Sequence, residues 1–147
     1  MNAARLAARC LEMLGPVAGP VAIACRRPPD LAAALAARAR PPAEGEAPAG
    51  AIVVWLGTPA RPAERQQLLR ELQHRLPPAA PLLVVDHNQP RALWRRALGL
   101  LPLAAAGLRP ARARYPAARE VAALGFIVER LRLASREQIQ LVLARQR

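Results

Sequence analysis

Two short stretches hold most of the residues that could do chemistry: Trp55-Leu56-Gly57-Thr58 and Asp86-His87-Asn88-Gln89, each directly following an apolar run. Asp86 is a type that accepts a proton or binds a cationic group, and His87 one that acts as a base or orients a substrate. A plainer use competes, in which Asp86 and Asn88 tie up loop amides and cap a helix starting near Pro90. Trp55 could stack on a flat ligand, although a Trp inside an apolar run is more often core. The rest of the inventory is thin. Ser135 is the only serine and Thr58 the only threonine, and no nucleophile elbow surrounds Ser135, so hydroxyl-based hydrolysis is nearly excluded. Cys10, Cys25, His74 and His87 lack metal-ligand spacing, and no metal site is expected. His74 shares the polar side of its helix with Gln67, Arg70 and Glu71. Phosphate-loop and dinucleotide fingerprints are absent. No catalytic residue can be assigned.

These stretches need elements to position them. Val21–Cys25, Ala51–Gly57 and Leu82–Asp86 are unbroken apolar runs suited to buried parallel strands. Between them, 3–14, about 30–40 and 63–76 read as amphipathic helices, the second with Asp30 as cap and the third with Leu68, Leu69, Leu72 and Leu76 inward and Glu71 pairing with Arg75. Strand, helix, strand with short links demands parallel pairing and a right-handed crossover. A helix from Pro90 to about Leu101, a Pro/Gly/Arg-rich connection over 102–114 and a short helix from Pro116 to Leu124, stopped by Gly125, follow. Period-2 alternation over 126–133 and 138–144, around an Ala134–Glu137 turn, predicts an antiparallel hairpin. Ligands of open α/β sheets bind outside the carboxyl ends of the parallel strands, which is what singles out the 55–58 and 86–89 stretches.

The formal charge of +12 over 147 residues suggests an anionic partner. All 22 basic residues are Arg, however, accompanied by 16 Pro and much Ala, the residue set that GC-rich codons favour. Arg91, Arg95, Arg96, Arg109, Arg112, Arg114 and Arg119, with Tyr115, form the densest basic run, without a recognised nucleic-acid-binding motif. Binding to polyanions is therefore expected to be weak, sequence-blind and salt-labile. The expected partner is a small molecule or another protein chain, with no specific nucleic acid and no membrane. Cys10 and Cys25 form no CxxC pair and suit reduced thiols of a cytoplasmic protein. Residues 1–25 loosely resemble a lipoprotein leader ending at Cys25, but Arg9 and Glu12 interrupt it.

The segments AIVVWLG, RLPPAAPLLVVDHNQPR and YPAAREVAALGFIVERLRLASREQIQLVLARQR, in that order, resemble the C-terminal half of class I S-adenosylmethionine-dependent methyltransferases. The resemblance implies a truncated Rossmann-like α/β fold, a parallel sheet closed by a C-terminal antiparallel hairpin. It further implies one domain over 1–147, with 51–147 as the family-like core and 1–50 a diverged N-terminal part. It implies S-adenosylmethionine as cofactor and a small-molecule methyl acceptor, with Trp55, Gly57, Thr58, Asp86, His87 and Asn88 as the residues that would line the site. In such chemistry the substrate supplies the nucleophile, so the protein positions and desolvates. The family's Gly-rich turn after the first strand is absent: Arg26-Arg27-Pro28-Pro29 stands there. The family's ribose-binding acid at the end of the second strand has no candidate in a strand context, since Glu44 and Glu46 lie in the PAEGEA loop. Three readings follow: a diverged or truncated methyltransferase, a non-catalytic methyltransferase-like module that pairs with another chain, and an Arg-rich RNA-binding domain.

Overall fold

The computed structural model describes residues 2–25, 27–56, 61–91, 94 and 116–147. Nine elements follow in order: α1 (Ala3–Leu14), β1 (Val21–Cys25), α2 (Pro29–Ala36), β2 (Gly50–Val54), α3 (Pro62–Arg75), β3 (Pro81–His87), α4 (Pro116–Ala123), β4 (Ile127–Ala134) and β5 (Ile139–Arg145). Asn2 caps α1 by accepting the Ala4 N–H at 2.9 Å, and Gly15, with φ 79°, ends it. The Pro90–Leu101 helix and the 102–114 connection lie mostly outside the described residues, as do Arg95, Arg96, Arg109, Arg112, Arg114 and Tyr115.

The strands form one sheet in the order β1-β2-β3-β5-β4. β1, β2 and β3 pair in parallel, β5 runs antiparallel to β3, and β4 runs antiparallel to β5 with a bulge between Val128 and Arg130. The sheet separates two apolar layers. On one side Leu6, Cys10 and Met13 of α1 and Leu31 and Leu35 of α2 pack on Ile52, Val54, Leu83, Val85 and Leu141. On the other, Leu69 and Leu72 of α3 and Ala117 and Val121 of α4 pack on Ala51, Val53, Leu82, Val84 and Val142. Aliphatic side chains at alternate positions fill both layers, as the near absence of aromatics requires.

The structure corrects three local expectations. Asp30 is not the cap of α2: Pro29 already occupies the first turn, Pro28 takes the cap position, and Asp30 falls inside the first turn. The helix is also shorter than 30–40, ending at Ala36. Glu71 accepts a hydrogen bond from Gln67 Nε2 at 2.9 Å, one turn N-terminal, rather than pairing with Arg75. β5 lies between β3 and β4 with layers on both faces, and Gln140 through Ala144 are all buried.

The β4–β5 turn is strained. Ser135, Arg136 and Glu137 have φ of 49°, 55° and 71°, the left-handed region that disfavours residues with a Cβ by about 1–2 kcal/mol each. The loop after β3 holds it there: the Asn88 N–H donates to Gln138 O at 2.8 Å, Asn88 Nδ2 to Glu137 O at 2.9 Å, and the Arg91 N–H to Glu137 Oε2 at 3.0 Å. Arg136 is exposed, so its replacement tests the backbone term alone. Arg136→Gly is expected to raise unfolding stability by about 0.5–1 kcal/mol in urea titration, glycine's greater freedom in the unfolded chain offsetting part of the relief. An unchanged or lower stability would show that the turn is unstrained.

Candidate functional site

Three side chains form a row across the carboxyl ends of the strands. The Trp55 N–H donates to Val85 O at 2.8 Å, which sets Trp55 beside Asp86, and Asp86 pairs with Gln140 of β5. Cross-strand partners share a face, here the α3/α4 side. All three are buried, with Trp55 at 7%, Asp86 at 5% and Gln140 at 0% relative exposure.

Arg65, in the first turns of α3, lies over this row. Its guanidinium carbon is 4.7 Å from the Trp55 ring centroid, a cation–π contact. Nη2 donates to Asp86 Oδ2 at 2.7 Å and to Glu120 Oε2 at 2.6 Å, while Nε donates to Glu120 Oε1 and Oε2 at 3.2 and 3.0 Å. One cation thereby joins β2, β3, α3 and α4. Burial works to lower the pKa of this guanidinium, but the hydrogen bonds and charges of Glu120 and Asp86 outweigh it and hold the pKa above its ordinary value. Asp86 Oδ1 accepts the His87 N–H at 2.7 Å, so both carboxylate oxygens are engaged within the protein. Gln140 Nε2 donates to His87 O at 3.0 Å. Trp55 Nε1 and Gln140 Oε1 are buried without a hydrogen-bond partner among the described residues.

His87 follows Asp86 and so turns to the other face, where its register partner is Ile139. Burial lowers its pKa below the ordinary 6.5, and the nearby Asp86 charge partly opposes this. A neutral imidazole at this position is able to accept a proton. Asn88 serves the hairpin turn through the bonds given above. Gly57 and Thr58 lie outside the described residues. The fold gathers Trp55, Asp86, His87 and Asn88 at the strand ends, as their places in the sequence suggest, and sets Arg65, Glu120 and Gln140 beside them, none of which the sequence singled out. Gln140 carried a signal, a polar residue in register with the inward Val142; Arg65 and Glu120 carried none.

The first strand-to-helix turn offers little to a ligand. Pro28 and Pro29 have no amide donors, the Leu31 and Ala32 N–H groups both go to Pro28 O at 3.1 and 3.2 Å, and Asp30 places a negative charge in the first turn of α2. Arg27 adds bulk where close backbone approach would be needed. Glu44 and Glu46 sit in the loop that leads into the start of β2, at the opposite end of the sheet from the Trp55–Asp86 row. Glu46 is bound there by Arg40 at 2.7 Å, which holds its carboxyl below the usual range. The described residues therefore do not fit S-adenosylmethionine at its methionine end or its ribose. A cleft of about 540 Å³ also lies at this amino end, lined by Pro16, Ala49, Pro78, Arg130 and Arg145 among others, with Arg145 paired to Glu129.

Because His87 is held neutral in the fold, protonation favours the unfolded chain, and its contribution to stability is present above the ordinary pKa and lost as pH falls below it. The thermal midpoint is expected to drop more steeply between about pH 7.5 and about pH 5.5 in the native protein than in His87→Gln. Parallel slopes would place His87 in a solvated setting.

No family model matches the sequence. No curated protein matches it either. Solved structures match by fold. The pyocyanin biosynthetic protein PhzM superposes with a TM-score of 0.72 at 13% identity, over 99% of this chain and 55% of that one. Human N-acetylserotonin methyltransferase, solved with S-adenosylmethionine, gives 0.58 at 12% identity, over 97% and 51%. An O-methyltransferase family 2 protein from Planctomyces limnophilus, solved with apigenin, gives 0.55 at 17% identity, over 86% and 43%. The chain thus spans about half the length of the structures it matches. A parallel sheet closed by an antiparallel C-terminal hairpin, with these neighbours, makes this chain a protein of the class I S-adenosylmethionine-dependent methyltransferase-like fold.

Proposed function

We propose that this chain is a methyltransferase-like module that acts by association with another chain rather than by methyl transfer of its own. The observation that carries the reading is the engagement of Asp86. It is the acid at the carboxyl end of β3, where a ligand of an open α/β sheet would sit, and Arg65 and the His87 amide occupy both its oxygens. Arg65 is held in turn by Glu120, so freeing Asp86 from it would leave a buried carboxylate without its cation. The Arg27-Pro28-Pro29 turn supports the same reading, since it removes donors from the place where the cofactor's methionine end would lie.

The enzyme reading keeps one feature in its favour, the neutral His87 beside the strand ends, which suits a base for an acidic acceptor hydroxyl. The two readings separate on affinity. Calorimetric titration of the purified chain with S-adenosylmethionine is expected to show a dissociation constant in the millimolar range or weaker, about −4 kcal/mol at best. Micromolar binding that is lost in His87→Ala would overturn the module reading and restore a methyl-transfer role.

A further inference from the structure

The helices cover the two faces of the sheet unequally. On the α3/α4 side, α4 packs on β4 and so reaches the edge of the sheet. On the other side α1 lies over β3 and β5, and no described helix lies beyond it over β4. Register places Ile127, Arg130 and Arg132 on that uncovered face, opposite Arg145, Leu143 and Leu141. All three are exposed, Ile127 to 50%. Layered α/β folds put a helix over such a lane.

A groove runs along it. The cleft of about 540 Å³ at the amino end shares Glu12 and Met13 with a second cleft of about 430 Å³, which lies against Arg9, Arg132 and Leu141. The charged side chains of the two clefts are Arg9, Arg130, Arg132, Arg145, Glu12 and Glu129. Both glutamates are taken, Glu12 by Arg132 at 3.3 Å and Glu129 by Arg145 at 2.7 Å. Arg9 and Arg130 have no carboxylate within 4.0 Å among the described residues. At the amino end Pro16, Pro77 and Pro78 are exposed, an apolar wall held in shape by its rings.

These features specify the occupant. Two unpaired cations call for carboxylates, while Ile127 and the proline wall call for apolar side chains. The net charge of +12 sets a second copy against the first. A continuous phosphate chain would meet Glu12 and Glu129 as well as the arginines, whereas a helix can place its acids only where they are needed. β4 has eight residues, roughly 26 Å of strand, which a helix of about 16 residues would match. We propose that the groove between α1 and β4 docks an acidic amphipathic helix of a different protein chain, with carboxylates on Arg9 and Arg130 and its apolar face on Ile127 and the prolines. The proposal rests on the association reading above and names its surface and the kind of partner.

The probe is a synthetic peptide of about 16 residues, built from Glu, Ala and Leu with the leucines on one helical face. It is titrated into the full chain at physiological salt by calorimetry, beside an isomer with the leucines scattered and a single-stranded oligonucleotide of equal charge. The amphipathic peptide is expected to bind more tightly than about 0.1 mM, and about tenfold more tightly than the isomer. Arg9→Glu and Arg130→Glu should each weaken it about tenfold. Arg70→Glu, at an exposed position on α3, should change it less than about twofold. Circular dichroism checks that the variants fold, and if Arg130→Glu within β4 does not, Arg9→Glu carries the test. Absence of binding at 0.1 mM would overturn the proposal, as would an equal loss in Arg70→Glu or equal binding of the isomer. Tighter binding of the oligonucleotide, weakened by the same two variants, would also overturn it. Cofactor titration decides the function reading separately, so either can fail alone.

Discussion

The guanidinium of Arg65 occupies the place where the carboxyl end of the sheet meets the two helices that cover it. Asp86 at the end of β3 and Glu120 on α4 both need a cation, being largely shielded from water with side chains 8% and 16% exposed. The Trp55 ring beneath provides an apolar floor that strengthens each of these bonds by excluding solvent. Two carboxylates and one guanidinium leave a net negative charge, and removing the guanidinium would leave two buried charges facing each other. Other features of this end follow from the arrangement. The backbone of β3 continues straight to His87, Asn88 reaches the hairpin turn, and the three left-handed residues of that turn are held by bonds from the same loop.

This arrangement bears on whether the strand ends serve binding or structure. A ligand site in an open α/β fold relies on polar groups that the fold leaves unsatisfied. Here Asp86 is satisfied internally, and the unpartnered polar atoms among the described residues at this end are the Trp55 indole Nε1 and Gln140 Oε1, both buried. Chemistry and association thus make opposite demands. The end of the sheet that would bind a small molecule is closed with its own charges, while the groove between α1 and β4 keeps Arg9 and Arg130 without a carboxylate among the described residues.

Much of the fold was legible from the chain. Ala51–Val54 and Leu82–Val85 are apolar without interruption because helices cover both faces of a parallel sheet, and such runs have few alternative uses. The hairpin was visible because alternation survives even where β5 is buried on both sides. The core role of Trp55 was legible for the same reason. Arg65 was not: it is one of 22 basic residues, all Arg, and its partners lie 21 and 55 positions away. A polar helix position reads as solvated unless tertiary structure brings two acids over it. Asp86 stands out by its place at a strand end, but whether its carboxylate faces a ligand or an arginine depends on that long-range contact.

Arg65 and Glu120 together fix the helical cover to the strand ends, and a double-mutant cycle with Arg65→Met, Glu120→Gln and the combined variant, each unfolded in urea, measures how strongly. A coupling energy of about 2 kcal/mol or more is expected, because Arg65→Met alone leaves the Asp86 and Glu120 carboxylates close together without a cation, a cost that Glu120→Gln relieves in the combined variant. A coupling below about 0.5 kcal/mol would contradict it, since the pair would then be no stronger than an exposed surface contact.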